Sequence, residues 1–241
     1  MLVERISPGS HDVPRARRAA RAARIAGLYA VTPDLADTPV LAAKVAAALD
    51  GGAAVVQYRN KLASAELRRA QAQTLARVHA LRGGLYIVND DPMLAVDVDA
   101  DGVHVGCDDA DLADARRQVG PDRVIGVSCY DSLARARASV EAGADYVAFG
   151  SFFPSPVKPR ARRAGIALLA RARVLGVPVV AIGGITSTNA ATLRDAGASA
   201  VAVISDVFAH DDLAQVTRAA EKIVDCFARA AAAVPRTEGG A

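Results

Sequence analysis

Eight short runs of β-forming residues recur along the chain with helix-like segments between them. They read GLYAV (27–31), AVVQYR (54–59), LYIVN (85–89), GVHVG (102–106), VIGVS (124–128), YVAFG (146–150), PVVAIG (178–183) and AVAVIS (200–205). The mean spacing is about 25 residues, the size of one βα unit. The runs are rich in valine and isoleucine and mostly continuous. Continuous apolar strands are those buried on both faces of a parallel sheet. The segments between them, such as 40–50 (VLAAKVAAALD) and 64–82 (SAELRRAQAQTLARVHALR), are amphipathic, and Ser64 offers a capped start to the second. Glycines at 51, 52, 83, 84, 120, 143, 176 and 197 fall just before strands, where helices stop. An alternation repeated eight times predicts an α/β fold, a single (β/α)8 TIM barrel, with an open doubly wound sheet as the alternative.

The 241 residues suit one such barrel, and 52% hydrophobic content is ample for its core. The expected organisation is an Arg/Ala-rich N-terminal extension over 1–26, partly helical, a barrel over 27–230 and a flexible tail over 231–241. Residues 1–24 carry a net charge of +4 and the remaining residues −1, so the barrel itself is not basic. No nucleic-acid partner is expected. No apolar run is long enough for a membrane span, and the N-terminus lacks the apolar stretch of a secretory signal. Three scattered cysteines (107, 129 and 226) without a CxxC pair fit a reduced, cytoplasmic setting.

In such barrels the working groups sit at the C-terminal strand ends. There the chain offers Thr32 and Asp34 after strand one, Gln57, Arg59, Asn60 and Lys61 at strand two, and Asn89, Asp90 and Asp91 at strand three. Cys107, Asp108 and Asp109 follow strand four, Ser128 ends strand five, and Ser151, Ser155 and Lys158 follow strand six. Gly183 and Gly184 close strand seven, and Ser205 and Asp206 follow strand eight. The inventory offers no plausible nucleophile–histidine pair at these ends. His104 lies inside a strand and reads as a satisfied core histidine, while histidines 11, 79 and 210 read as solvated. Acyl transfer is therefore not expected. Asp90 and Asp109 follow consecutive strands, roughly 4.8 Å apart in a sheet, and repel each other unless a cation lies between them. Magnesium is typically held by one or two carboxylates with substrate phosphate oxygens. Arg59 and Lys61 could grip the same phosphates. Across the rim, AIGGIT and AVISDVF resemble the phosphate site that barrels build after strands seven and eight.

QYRNK (57–61), NDD (89–91), DGVHVGCDD (101–109), GVS (126–128), GADYVAFGSFFPSPVKP (143–159), AIGGIT (181–186) and VIS (203–205) together resemble the thiamine phosphate synthase family over residues 27–225. The resemblance implies a transferase joining a pyrimidine pyrophosphate to a thiazole phosphate with Mg2+. It implies that Gln57, Tyr58, Arg59, Asn60, Lys61, Asn89, Ser128 and Lys158 surround the pyrimidine pyrophosphate. Arg59, Lys61, Ser128 and Lys158 would be catalytic, and Asp90 and Asp109 would hold the metal. Ser155, Pro156, Val157, Gly184, Ile204 and Ser205 would receive the thiazole phosphate. The chain departs from the family pattern at Val157, where a threonine is usual, and at Tyr130, where a histidine is common. The alternatives are a thiazole tautomerase-like isomerase and a non-catalytic phosphate-binding barrel. Both partners would be small molecules, and a homo-oligomer is compatible with the sequence.

Overall fold

The valine- and isoleucine-rich runs pair edge to edge in chain order and return on themselves. They are β1 (Gly27–Val31), β2 (Val55–Tyr58), β3 (Leu85–Asn89), β4 (Gly102–Gly106), β5 (Val124–Ser128), β6 (Tyr146–Gly150), β7 (Val179–Ile182) and β8 (Ala200–Val203). Every pair is parallel, and β8 closes the barrel on β1 with Gly27 opposite Ala200. This is a computed structural model, and it describes residues 12–106, 112–154 and 163–228. The helices among them are α1 (Asp12–Ala23), α2 (Thr38–Asp50), α3 (Ala65–Arg82), α4 (Pro92–Asp97), α5 (Leu112–Val119), α6 (Leu133–Glu141), α7 (Ala167–Ala172), α8 (Ala190–Asp195), α9 (Ser205–Phe208) and α10 (Leu213–Ala228). No helix among the described residues is long and apolar enough to cross a membrane.

Strand residues alternate between two cores, because successive side chains leave a strand on opposite faces. Leu28, Ala30, Val56, Tyr58, Val103 and Val105 join the layer between strands and helices. Tyr29, Val31, Val55, Leu85, Ile87, Val124, Tyr146 and Val180 fill the barrel interior. Side-chain caps start several helices. Asp37 accepts from the Val40 amide at 2.9 Å, Ser64 from Leu67 at 3.2 Å and Asp91 from Leu94 at 2.9 Å. Three strands end earlier than their apolar runs, β2 at Tyr58, β7 at Ile182 and β8 at Val203. Arg59 leaves the ladder because its amide donates to the Thr32 hydroxyl, and Ser205 already belongs to α9.

Residues 12–26, read from the sequence as part of an extension, close the bottom of the barrel. Ala22 and Ile25 are buried in the interior core beneath Tyr29. Arg18 donates to Asp145 at 3.2 Å and to the Pro121 carbonyl at 2.5 Å, and Arg21 donates to the Asp122 carbonyl at 2.7 Å. Asp145, just before β6, also accepts from Arg116 at 2.7 Å and from the Ile125 amide at 2.8 Å. The arginines of α1 thus act as anchors. A correction concerns His79. It is 8% exposed, not solvated, and stacks on Tyr86 with ring centroids 4.7 Å apart. Its position on the inward stripe of α3 decides this. His210 is half-buried, and His11, Cys107, Asp108, Asp109, residues 155–158 and the tail lie outside the described residues.

Two stability measurements follow from these contacts. Asp145→Ala removes the carboxylate shared by Arg18 and Arg116 and the acceptor of the Ile125 amide, and should lower the unfolding free energy by about 3 kcal/mol in urea titrations. Burial lowers the His79 pKa to about 4, against smaller upward pulls from the Gly83 main chain and the Asp101 charge. The fold therefore favours the neutral ring. Its contribution is full above the unfolded value of about 6.5 and fades as pH falls towards the folded value, a loss of at most about 3 kcal/mol. The stability gap between His79→Phe and wild type should widen in favour of the variant across that window. Parallel pH curves would contradict the assignment.

Candidate active site

All eight strands contribute to a cavity of about 1090 Å³ at the C-terminal mouth of the barrel. This is ample for small-molecule ligands. Its described lining includes Gln57, Arg59 and Lys61 from β2 and its loop, Asn89 and Asp90 from β3, and His104 from β4. Ser128 from β5, Gly183 after β7 and Ile204 after β8 line the remainder.

The β2 cations are held from β1. Thr32 clamps the Arg59 main chain, accepting from its amide at 2.8 Å and donating to its carbonyl at 2.9 Å. Asp34 takes the Arg59 guanidinium at 3.1 Å and the Lys61 amide at 2.6 Å. The Lys61 ammonium stands 3.2 Å from the Asp90 carboxylate. Asp90 sits in the left-handed backbone region with φ of 59°, and its amide donates to the His104 carbonyl at 2.8 Å. That turn swings its side chain over the mouth. Asp91 instead caps α4, so the two neighbouring aspartates have different work.

Deeper in, a polar layer crosses the barrel. Gln57 donates to the Tyr29 hydroxyl at 2.9 Å, and Tyr29 meets the Tyr146 hydroxyl at 2.9 Å. His104 meets Tyr146 through Nδ1 at 3.0 Å and Ser128 through Nε2 at 2.8 Å. Burial lowers the His104 pKa to about 4, opposed by the Asp90 charge, and burial also pushes Tyr29 and Tyr146 far above the ordinary phenol range. Burial thus favours the uncharged form of all three rings. Gly126 makes room for them, since a Cβ there would overlap the Tyr146 ring.

The structure brings Gln57, Arg59, Lys61, Asn89, Asp90, Ser128 and Ile204 together around one cavity. It does not bring Tyr58 and Asn60 there, which corrects the expectation from the sequence. Both have the opposite strand parity to Gln57, Arg59 and Lys61. Tyr58 is 2% exposed in the outer core and donates to Gln71 at 2.9 Å. Asn60 donates to Gln71 and to the Leu35 carbonyl, both at 3.0 Å. Gly184 and Ser205 each lie one residue beyond the lining residues Gly183 and Ile204. Gly184 (φ 62°) presses against the loop after β6, where an added Cβ would overlap the Pro154 carbonyl oxygen. Asp109, Ser155, Pro156, Val157 and Lys158 lie outside the described residues. Sequence reasoning passed over Tyr29 and the wall formed by Tyr130, Arg135 and Arg171, and read His104 as a satisfied core histidine without placing it on the cavity. Parity could have found His104. Its neighbours Val103 and Val105 face the helices, so the histidine must face the interior.

A closed (β/α)8 barrel with cations, a carboxylate and a neutral polar floor at its C-terminal mouth defines the class, an enzyme barrel built for small polar ligands. A family model described as thiamine monophosphate synthase matches residues 28–207. A thiamine-phosphate synthase of Chromobacterium violaceum is 53% identical over 81% of this chain and 95% of its own. One from Thiobacillus denitrificans is 54% identical over 84% and 95%. The solved thiamine phosphate pyrophosphorylase of Pyrococcus furiosus superposes with a TM-score of 0.76 at 32% identity, covering 87% of this chain and 98% of that one. The chain belongs to the thiamine monophosphate synthase family.

Gly126→Ala places a methyl group inside the space of the Tyr146 ring. It should cost about 2 kcal/mol of stability through overpacking, read as a lower midpoint in urea.

Proposed function

We propose that the chain condenses an aminohydroxymethylpyrimidine pyrophosphate with a hydroxyethylthiazole phosphate, giving thiamine phosphate and pyrophosphate. The observation that carries this reading is the Lys61–Asp90 pair at 3.2 Å, beside the Arg59 guanidinium fixed by Asp34. Cations and a carboxylate on adjacent strands suit a diphosphate that leaves with a metal ion. More than half the residues match the named synthases over nearly their whole length, which favours this reading over an isomerase or a passive binder.

Asp90 fits a hard divalent cation. Its side chain is 39% exposed at the mouth, and a carboxylate is the donor type magnesium takes. The described residues hold no cluster of three His, Cys, Asp or Glu side chains. A site of one or two carboxylates completed by phosphate oxygens and water suits magnesium better than a full protein cage. Asp90 would hold the ion together with Asp109. When bound, the ion supplies positive charge to the departing diphosphate.

The chain's own residues do the rest. Arg59, preset by Asp34 and Thr32, offers a fixed fork of N–H donors to the diphosphate. Lys61 adds a point charge on the same side, and the family resemblance assigns a further one to Lys158. Ser128 donates a neutral hydrogen bond from the opposite wall. Together they favour the charge that builds as the carbon–oxygen bond breaks, leaving a pyrimidine-methyl cation stabilised by its own ring. The thiazole nitrogen then forms the new carbon–nitrogen bond. It carries no proton, so no general base is required, and the neutral His104 is consistent with that. The thiazole phosphate is received by Gly184, Ile204, Ser205 and the Ser155–Val157 segment. Three scattered cysteines without a CxxC pair support a cytoplasmic setting.

Incubation with both substrates and magnesium should give thiamine phosphate by mass spectrometry, and chelation should stop its formation. Asp90→Ala should lower turnover by about a hundredfold or more at unchanged fold, as circular dichroism would verify. Undiminished magnesium-dependent turnover in that variant would remove Asp90 from the metal site. A passive binder would take up thiazole phosphate in calorimetry and yield no product.

A further inference from the structure

Gln57, Tyr29, Tyr146, His104 and Ser128 come from β2, β1, β6, β4 and β5, and form one unbranched hydrogen-bonded chain across the floor of the cavity. Its interior members are nearly fully buried: Tyr29 is 1% exposed, Tyr146 0% and His104 7%. Each proton in it can therefore be assigned by counting, since buried hydroxyls and ring nitrogens need their partners.

The Gln57 amide nitrogen can only donate, and it donates to Tyr29. The Tyr29 oxygen is thus an acceptor there, and its single proton goes on to Tyr146. The single Tyr146 proton then goes to Nδ1 of His104. A neutral imidazole that accepts at Nδ1 carries its proton at Nε2, which donates to the Ser128 oxygen. The Ser128 proton is left over, and Ser128 lines the cavity. One amide at one wall thereby sets the direction of a hydroxyl at the other.

We propose that Tyr29, Tyr146 and His104 are positioning residues. They form a one-way chain that locks His104 as the Nε2–H tautomer and makes the Ser128 hydroxyl a dedicated donor to an anionic ligand in the cavity. Run in reverse, the same chain would send the Ser128 proton back to His104 and turn oxygen lone pairs on the anion. Successive bonds of one direction also polarise each other, so the terminal donor is stronger than an isolated serine. The chain achieves this without burying a net charge. Gly126 fits this account, because only glycine leaves space for the ring that links the two halves. The inference rests on the proposed reading in one respect, that Ser128 serves the pyrimidine pyrophosphate.

Two measurements test it. Protein labelled with nitrogen-15 histidine is observed without ligand by long-range proton–nitrogen correlation, with His104→Gln identifying the resonances. A single Nε2–H tautomer at neutral pH is expected, and an Nδ1–H or mixed ring would overturn the proposal. Tyr146→Phe cuts the chain while keeping the ring. It should lower kcat/KM for the pyrimidine pyrophosphate about tenfold and leave KM for the thiazole phosphate unchanged. Combined with Ser128→Ala, it should add no further loss, because both act through the same hydroxyl. Additive losses would show a merely structural effect and overturn the chain with the activity intact. Absence of product from the wild-type protein would instead defeat the assigned reaction, while the tautomer still reports on the chain.

Discussion

In a closed parallel barrel each strand has only two faces, and a shift of one residue exchanges them. The interior of this protein follows from that constraint. Gln57, Arg59 and Lys61 share a parity and climb one wall to the mouth, whereas Tyr58 and Asn60 belong to the helix layer. A single-residue slip of β2 would bury the cations against α3 and place Tyr58 in the cavity. The pairing of β2 with β1 and β3 holds the register, with Gln57 opposite Val31 and Ile87. The site thus inherits its order from the same backbone ladder that closes the fold.

The two ends of the barrel solve different problems. At the bottom, α1 fills the opening with Ala22 and Ile25, and its arginines find carboxylates and carbonyls in the loops before β5 and β6. Arg18 and Arg21 pair there with Asp145 and Asp101. At the top, charges are held in place but kept accessible. Asp34 orients Arg59 while leaving the guanidinium on the cavity wall, and Lys61 with Asp90 remains about half exposed. Pairs of this kind add little to stability in water. Their value is that a ligand with its own charges can exchange partners with them at small cost.

Between the ends lies a layer that is polar yet neutral. Two phenols and an imidazole would each be costly to bury alone, and their mutual hydrogen bonds make the layer tolerable. It separates a dry apolar core from a wet charged mouth. It also gives the site a floor of defined direction, which a purely aliphatic barrel would lack.

Much of this was legible in the residues. Eight apolar runs with glycine stops specified strands and helices, since local hydrophobic period and turn chemistry are properties of the chain itself. The positions of Arg59, Lys61, Asn89, Asp90 and Ser128 at strand ends followed from the same pattern. Other features were not legible, because they depend on which side chains packing brings together, several of them 42 to 127 residues apart in the chain. The linear text gave no sign that Arg18 anchors a plug against Asp145, that His79 lies buried on Tyr86, or that Tyr29, Tyr146 and His104 meet at one level. Sequence determined the periodic elements and the inventory of charges. Closure of the barrel alone decided which side chains share a space, because proximity across its interior arises only when strands distant in the chain are brought around a common axis.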